Sequence, residues 1–262
     1  MIDAHAHLND PRLSADLPDL LARMRAAGVE GALVVGYDLP SSQRAVALAR
    51  AYPSLRAAVG IHPHDSKDLD AAALDALRVL AREPAVVAIG EIGLDYHYDH
   101  SPRPAQREAF RRQLALARET ALPIVIHERE AEEEVRAILD AEEGWALGGS
   151  WHCCSVDAVS ATEIARHLFI GIAGWITFPK SEHIRALARA VPMERLLIET
   201  DAPYITPVPF RGRRNEPAYL PYTLQMLAEV TGKPAGDVEQ STTMNVRRAF
   251  PRWTLDEGGY DG

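Results

Sequence analysis

Short apolar runs alternate with amphipathic segments along the whole of this 262-residue chain. The runs fall at residues 2–7, 31–36, 55–61, 85–91, 123–127, 146–152, 169–174 and 196–201. Their length suits buried strands rather than helices. Between them, apolar residues recur at helical spacing: Phe110, Leu114 and Ala117; Val135, Ile138 and Leu139; Ile184, Leu187, Ala188 and Val191. Eight strand–helix alternations in a chain of this length predict an α/β fold, a closed (β/α)8 TIM barrel, as a single domain over 1–262. The segment 234–250 reads as an extra C-terminal helix. An open doubly wound sheet is the alternative, but it needs fewer strands, and no glycine-rich phosphate loop follows the first one.

The polar residues that interrupt this pattern sit at one kind of place. Glu91 ends AVVAIGE, His127 ends PIVIH, His152 ends ALGGSWH and Asp201 ends LLIETD. His5 and His7 lie two apart in the first run, so they project from the same face of a strand. In a barrel these strand ends converge on the catalytic face. Burying such groups is costly unless something uses them. A metal centre accounts for all of them together.

These stretches make the chain recognisable. DAHAHLND at 3–10, VGIHPHD at 59–65, AIGEIGLDYHYD at 88–99, LPIVIHER at 122–129, IETDAPYITP at 198–207 and RGRRNEPAYLP at 211–221 resemble the TatD family of metal-dependent deoxyribonucleases, within the amidohydrolase-like barrels. The resemblance runs through nearly the whole chain. It implies two divalent cations, one held by His5, His7, Glu91 and Asp201, the other by Glu91, His127 and His152, with Glu91 bridging. It implies Mg²⁺, with Mn²⁺ or Zn²⁺ as possible substitutes. It also implies DNA as substrate, entered from a single strand or 3′ end, and His62 facing the substrate phosphate.

Two cations can activate water and stabilise both the attacking and the leaving oxygen of a phosphodiester. Asp201 is the candidate base as well as a ligand. Arg211 lies in a basic loop after the eighth strand, where barrels often bind phosphate; the alternative is a solvated loop paired to Glu216. Tyr204 is a candidate stacking surface for a base or sugar. Asp3 shares the inward face with His5 and is expected to orient a ligand imidazole. Cys153 is expected to point away from His152. The sequence HCCS departs from the HxFSG more usual in the family, which puts the local pocket shape in question.

Composition narrows the picture. Hydrophobic residues make up 47% of the chain, enough for a sizeable core, and the net charge of −9 argues against broad wrapping of duplex DNA. Cys153 and Cys154 are the only cysteines, which excludes a disulfide framework. No signal-peptide pattern, membrane-length apolar stretch or P-loop is present. A cytoplasmic protein with no membrane partner and no nucleotide cofactor is expected. Competing functions are an amidohydrolase acting on amides or esters, aminoacyl esters included, and a non-catalytic binding protein. The basic loop argues against the first, and the complete ligand set against the second.

Overall fold

The computed structural model describes residues 1–253. The expected domain's last residues, 254–262, lie outside the described part. The strands are β1 (Ile2–Ala6), β2 (Gly31–Val35), β3 (Leu55–Val59), β4 (Val86–Asp95), β5 (Ile124–Arg129), β6 (Gly149–Trp151), β7 (Phe169–Ile172) and β8 (Leu196–Ile198). They form one sheet in sequential order, every neighbouring pair parallel, with helices in the connections. This is the (β/α)8 barrel. The extra helix follows the last unit as Ala235–Ala249. No helix among the described residues is long and apolar enough to cross a membrane.

The local chemistry of the elements is legible. Strands β1, β2 and β4 are buried along their whole length, as parallel strands covered on both faces must be. Asp10, Asp38, Asp70 and Asp157 each cap a helix by accepting a main-chain N–H of its first turn. Val87, Val125 and Leu197 pack in one cluster with Val246, Phe250 and Trp253. Val125 shares its strand face with His127, so the C-terminal segment packs beneath the polar end of β5.

The ring closes between first and last strands. Ala6 bridges Ala202, the His7 N–H donates to Ala202 O at 2.7 Å, and the Asp201 N–H donates to His5 O at 2.9 Å. Asp3 belongs to this seam and does not orient an imidazole. Its carboxylate accepts the Thr200 N–H at 2.9 Å and the Thr200 hydroxyl at 2.5 Å, and also the main-chain N–H of His5 at 3.3 Å. Burial pushes the Asp3 acid up to about 7 against the pull of these hydrogen bonds.

Strand ends differ from the sequence pattern in informative ways. β4 runs four residues past Glu91, to Asp95. Its register with β5 jumps from Gly90–Val125 to Ile92–Ile126, leaving Glu91 as the extra residue of a bulge. Bulges re-aim a side chain, and here the re-aimed one is the central carboxylate. β6 begins at Gly149 because residues Gly144–Leu147 form a 3₁₀ turn. Gly149 holds φ +111°, and a Cβ there would come within 2.0 Å of Ile124 O, so only glycine fits against β5. β8 stops at Ile198, and Asp201 follows it in a left-handed conformation at φ 53°.

Candidate metal centre

The six strand-end residues named from the sequence come together in one buried cluster. His5 and His7 face each other through Nε2 at 3.3 Å. Glu91 Oε2 lies 3.4 Å from His5 Nε2 and 3.6 Å from His7 Nε2. Its other oxygen, Oε1, lies 2.8 Å from His127 Nδ1 and 3.7 Å from both His62 Nε2 and His152 Nε2. Asp201 Oδ1 is 3.4 Å from His7 Nε2, 3.9 Å from His5 Nε2 and 4.0 Å from His152 Nε2. The His5 and His152 rings stack with centroids 3.6 Å apart.

The ligand-capable atoms fall into groups that cut across the expected division. His5, His7 and Glu91 form one group; His5, His152 and Asp201 another; His62, Glu91 and His127 a third. His62, expected to face a substrate phosphate, therefore stands beside Glu91 and His127. Its own imidazole is held neutral by burial, reinforced by the neighbouring His127.

These residues fit divalent cations. Asp201 Oδ1, which faces His5, His7 and His152, is buried and has no hydrogen-bond partner. Unpaired buried polar atoms are costly, and cation coordination is the usual compensation. The protonation pattern agrees. Burial opposes charge on His127 and His152. Asp95 and Glu91 nevertheless hold His127 up to about 9, and Glu199 and Glu91 hold His152 up to about 10. Burial likewise opposes charge on Glu91, yet the surrounding histidines, His62 and His5 foremost, keep its acid well below the usual range. The carboxylates demand positive charge here. Imidazole nitrogens and carboxylate oxygens suit Zn²⁺ and Mn²⁺, and the carboxylates alone suit Mg²⁺.

Two buried carboxylates missing from the sequence analysis support this cluster. Asp95 Oδ2 lies 3.2 Å from His127 Nε2 and 2.9 Å from His64 Nε2, while Oδ1 accepts the N–H groups of His97 and Tyr98. Glu199 Oε1 accepts the Cys153 N–H at 2.6 Å and lies 3.0 Å from His152 Nδ1, off the line of a hydrogen bond. Glu199 packs against Gly171, where any Cβ would meet its carboxylate oxygens at 2.5 Å. The signal for both was the same two-residue alternation that carries His5 and His7. Gly93 and Asp95 alternate with the residues of β4 that follow Glu91, and Glu199 stands two positions before Asp201 in the sequence.

The remaining candidates sit at the rim. Tyr204 is 47% exposed, its ring 6.1 Å from that of His7 and covered on one face by the Arg12 guanidinium at 4.4 Å. Arg12 is held in place by Asp10 through two hydrogen bonds, at 2.9 and 2.8 Å. Arg211 is exposed and rests on the Phe178 ring at 4.1 Å. It is not tied to Glu216, whose carboxylate is gripped by Arg23 at 2.8 and 2.6 Å. Cys153 does not turn away from the site. It adopts φ 42°, which breaks strand alternation, and its thiol groups with His152 and Glu199. Burial then pushes that thiol well up, and the nearby carboxylates push it further.

Known proteins carry the same arrangement of sequence and fold. The family model described as TatD related DNase matches residues 2–251. The uncharacterized metal-dependent hydrolase YabD of Bacillus subtilis (strain 168) is 41% identical over 251 residues, covering 95% of this chain and 98% of its own. The 3′-5′ ssDNA/RNA exonuclease TatD of Klebsiella pneumoniae (strain 342) is 41% identical over 256 residues, covering 95% and 97%. The crystal structure of YJJV, a TatD homolog from Escherichia coli k12, superposes with a TM-score of 0.91 at 30% identity, covering 96% and 98%. With a buried histidine–carboxylate cluster at the mouth of a parallel barrel, and a match of this extent to both sequence and structure, the chain belongs to the TatD-related DNase family of metal-dependent hydrolases.

Proposed function

We propose that this protein is a two-cation phosphodiesterase that removes nucleotides from the 3′ end of single-stranded nucleic acid. The observation that carries this reading is the division of imidazoles between the two oxygens of Glu91. His5 and His7 face Oε2, whereas His127, His62 and His152 face Oε1. One carboxylate addressed from two sides suits a bridge between cations roughly 3.5–4 Å apart. DNA is the expected substrate, and the relatives named as ssDNA/RNA exonucleases extend the proposal to RNA.

Bound divalent cations supply Lewis acidity, lowering the pKa of water and offsetting phosphate charge. His5, His7, Glu91 and Asp201 would hold one, and Glu91, His127 and His152 the other. Mg²⁺ is the expected ion, with Mn²⁺ or Zn²⁺ as substitutes. Asp201 would hold a cation through Oδ1, the atom without a protein hydrogen bond, and its other oxygen, Oδ2, would take the proton of the attacking water. Glu199 and Asp95 fix the rings of His152 and His127. His62 faces the phosphate from the Glu91 side. Tyr204 offers its exposed face to the terminal base or sugar, and Arg211 draws in the strand behind it.

The test is product analysis on 5′- and 3′-labelled single- and double-stranded DNA and single-stranded RNA, with Mg²⁺, Mn²⁺ and Zn²⁺ compared. A 5′-labelled strand should shorten one nucleotide at a time while a 3′ label is released at once. Internal cleavage would overturn the exonuclease assignment. Hydrolysis of amides or carboxylic esters with no cleavage of any phosphodiester would favour an amidohydrolase.

A further inference from the structure

The pole of the barrel opposite the metal centre carries a cavity of about 290 Å³. It lies where β5, β6 and β7 begin, at Pro123, Gly149 and Phe169, whereas His127 and His152 stand at the other ends of β5 and β6. Arg195, just before β8, and Arg248 and Arg252, from the end of the C-terminal helix and the residues after it, line the cavity together with His167.

These three arginines differ from those of the chain that are neutralised by carboxylates. Arg23, Arg78, Arg103, Arg136 and Arg185 all pair with carboxylates. Among the described residues, no carboxylate forms an ion pair with Arg195, Arg248 or Arg252. The chain carries 37 acidic residues against 28 basic ones, so three guanidinium groups with no carboxylate partner among the described residues run against its overall balance.

Part of their role is structural. Arg248 Nη1 donates to Glu194 O and Asn245 Oδ1, Arg195 Nη2 donates to Arg166 O, and Arg252 donates to Ala81 O and Thr120 O. A guanidinium has five N–H donors, so these anchors leave at least two on each side chain unused. The anchors also remove freedom. The guanidinium carbons of Arg195 and Arg248 sit 5.1 and 5.4 Å from the centre of the Phe169 ring. Arginines fixed by packing and main-chain bonds lose little further entropy when they bind.

We propose that this cavity binds a phosphate dianion, free or as the head of a small monoester. Planar guanidinium groups match phosphate oxygens in pairs. The volume is near the lower end for small-molecule sites, which suits a compact anion rather than a polymer. Leu147 and Ala249 give a monoester an apolar wall. The site is separate from the metal centre and independent of the reaction assigned to it.

Amide NMR of the full chain separates the two poles. Titration with inorganic phosphate and with AMP should move the Gly148, Gly149 and Phe169 amides saturably. Arg248→Gln should weaken that binding by about tenfold, the scale of one lost charge-assisted hydrogen bond, and leave DNA hydrolysis unchanged. Arg195→Gln is the second variant and should act alike where Arg248→Gln perturbs the fold. Shifts confined to residues around Glu91, or binding that survives both substitutions, would overturn the proposal.

Discussion

Glu199 Oε1 lies 3.0 Å from Nδ1 of His152, on the side of the ring away from Glu91. A carboxylate behind a ligand imidazole raises its basicity through its charge. Glu199→Gln keeps the shape and removes the charge. Metal affinity should fall by about 10–100-fold, the usual effect of losing such a partner. Isothermal titration with Mn²⁺ measures it, and an unchanged affinity would remove Glu199 from the support of the site.

Glu91→Ala deletes the group that every histidine in the cluster faces. It should abolish phosphodiester hydrolysis and reduce metal content, with the barrel's circular dichroism retained. Full metal loading with normal turnover in the purified variant would refute the bridge.

Asp201→Asn separates ligand from base. The amide still offers an oxygen to a cation but does not take a proton from water. With metal content confirmed equal to the parent's, kcat should drop by about 10²–10⁴-fold, the usual contribution of general acid–base catalysis. KM should move little. Near-normal kcat with metal bound would assign the proton to another acceptor.

Cation removal and return should be visible in stability. The buried unpaired atom Asp201 Oδ1 is a liability in the metal-free chain. A cation that binds only the folded state stabilises it by about 2.7 kcal/mol at a hundredfold excess over Kd. Chelation should therefore lower Tm, and Mn²⁺ or Mg²⁺ should restore it in proportion to the logarithm of concentration. A Tm indifferent to chelator would count against resident cations.

Arg211→Ala tests the rim. Its guanidinium lies on Phe178, with no carboxylate partner among the described residues, so its removal costs the fold little. KM for a single strand should rise several-fold and kcat should hold, the signature of lost uniform binding. A drop in kcat with KM unchanged would place Arg211 at the reacting phosphate instead.

The sequence exposed what recurs with a period. Eight apolar runs gave the barrel, and polar residues ending them gave His5, His7, Glu91, His127, His152 and Asp201, which the structure gathers within one cluster. It hid what depends on departures from that period. Asp95 was overlooked because β4 seemed complete at Glu91, whereas a bulge lets the strand continue. Glu199 stands inside the run LLIETD, where Asp201 alone carries the strand-end signal. Cys153 was turned the wrong way because its positive φ cancels strand alternation. Asp3 was matched to an imidazole although its partner, Thr200, lies 197 residues away, a pairing no local pattern contains.

The seam between β1 and β8 also sets an order of assembly during synthesis. His5 and His7 leave the ribosome before Asp201, which follows almost two hundred residues later. The Asp201 N–H then docks on His5 O, and Ala202 on His7. Until that moment the set of His5, His7, Glu91 and Asp201 is incomplete, although Glu91, His127 and His152 have already been delivered. A chain stalled before residue 201 thus carries His5 and His7 without their closing carboxylate, and that half of the cluster is assembled only when the ring shuts.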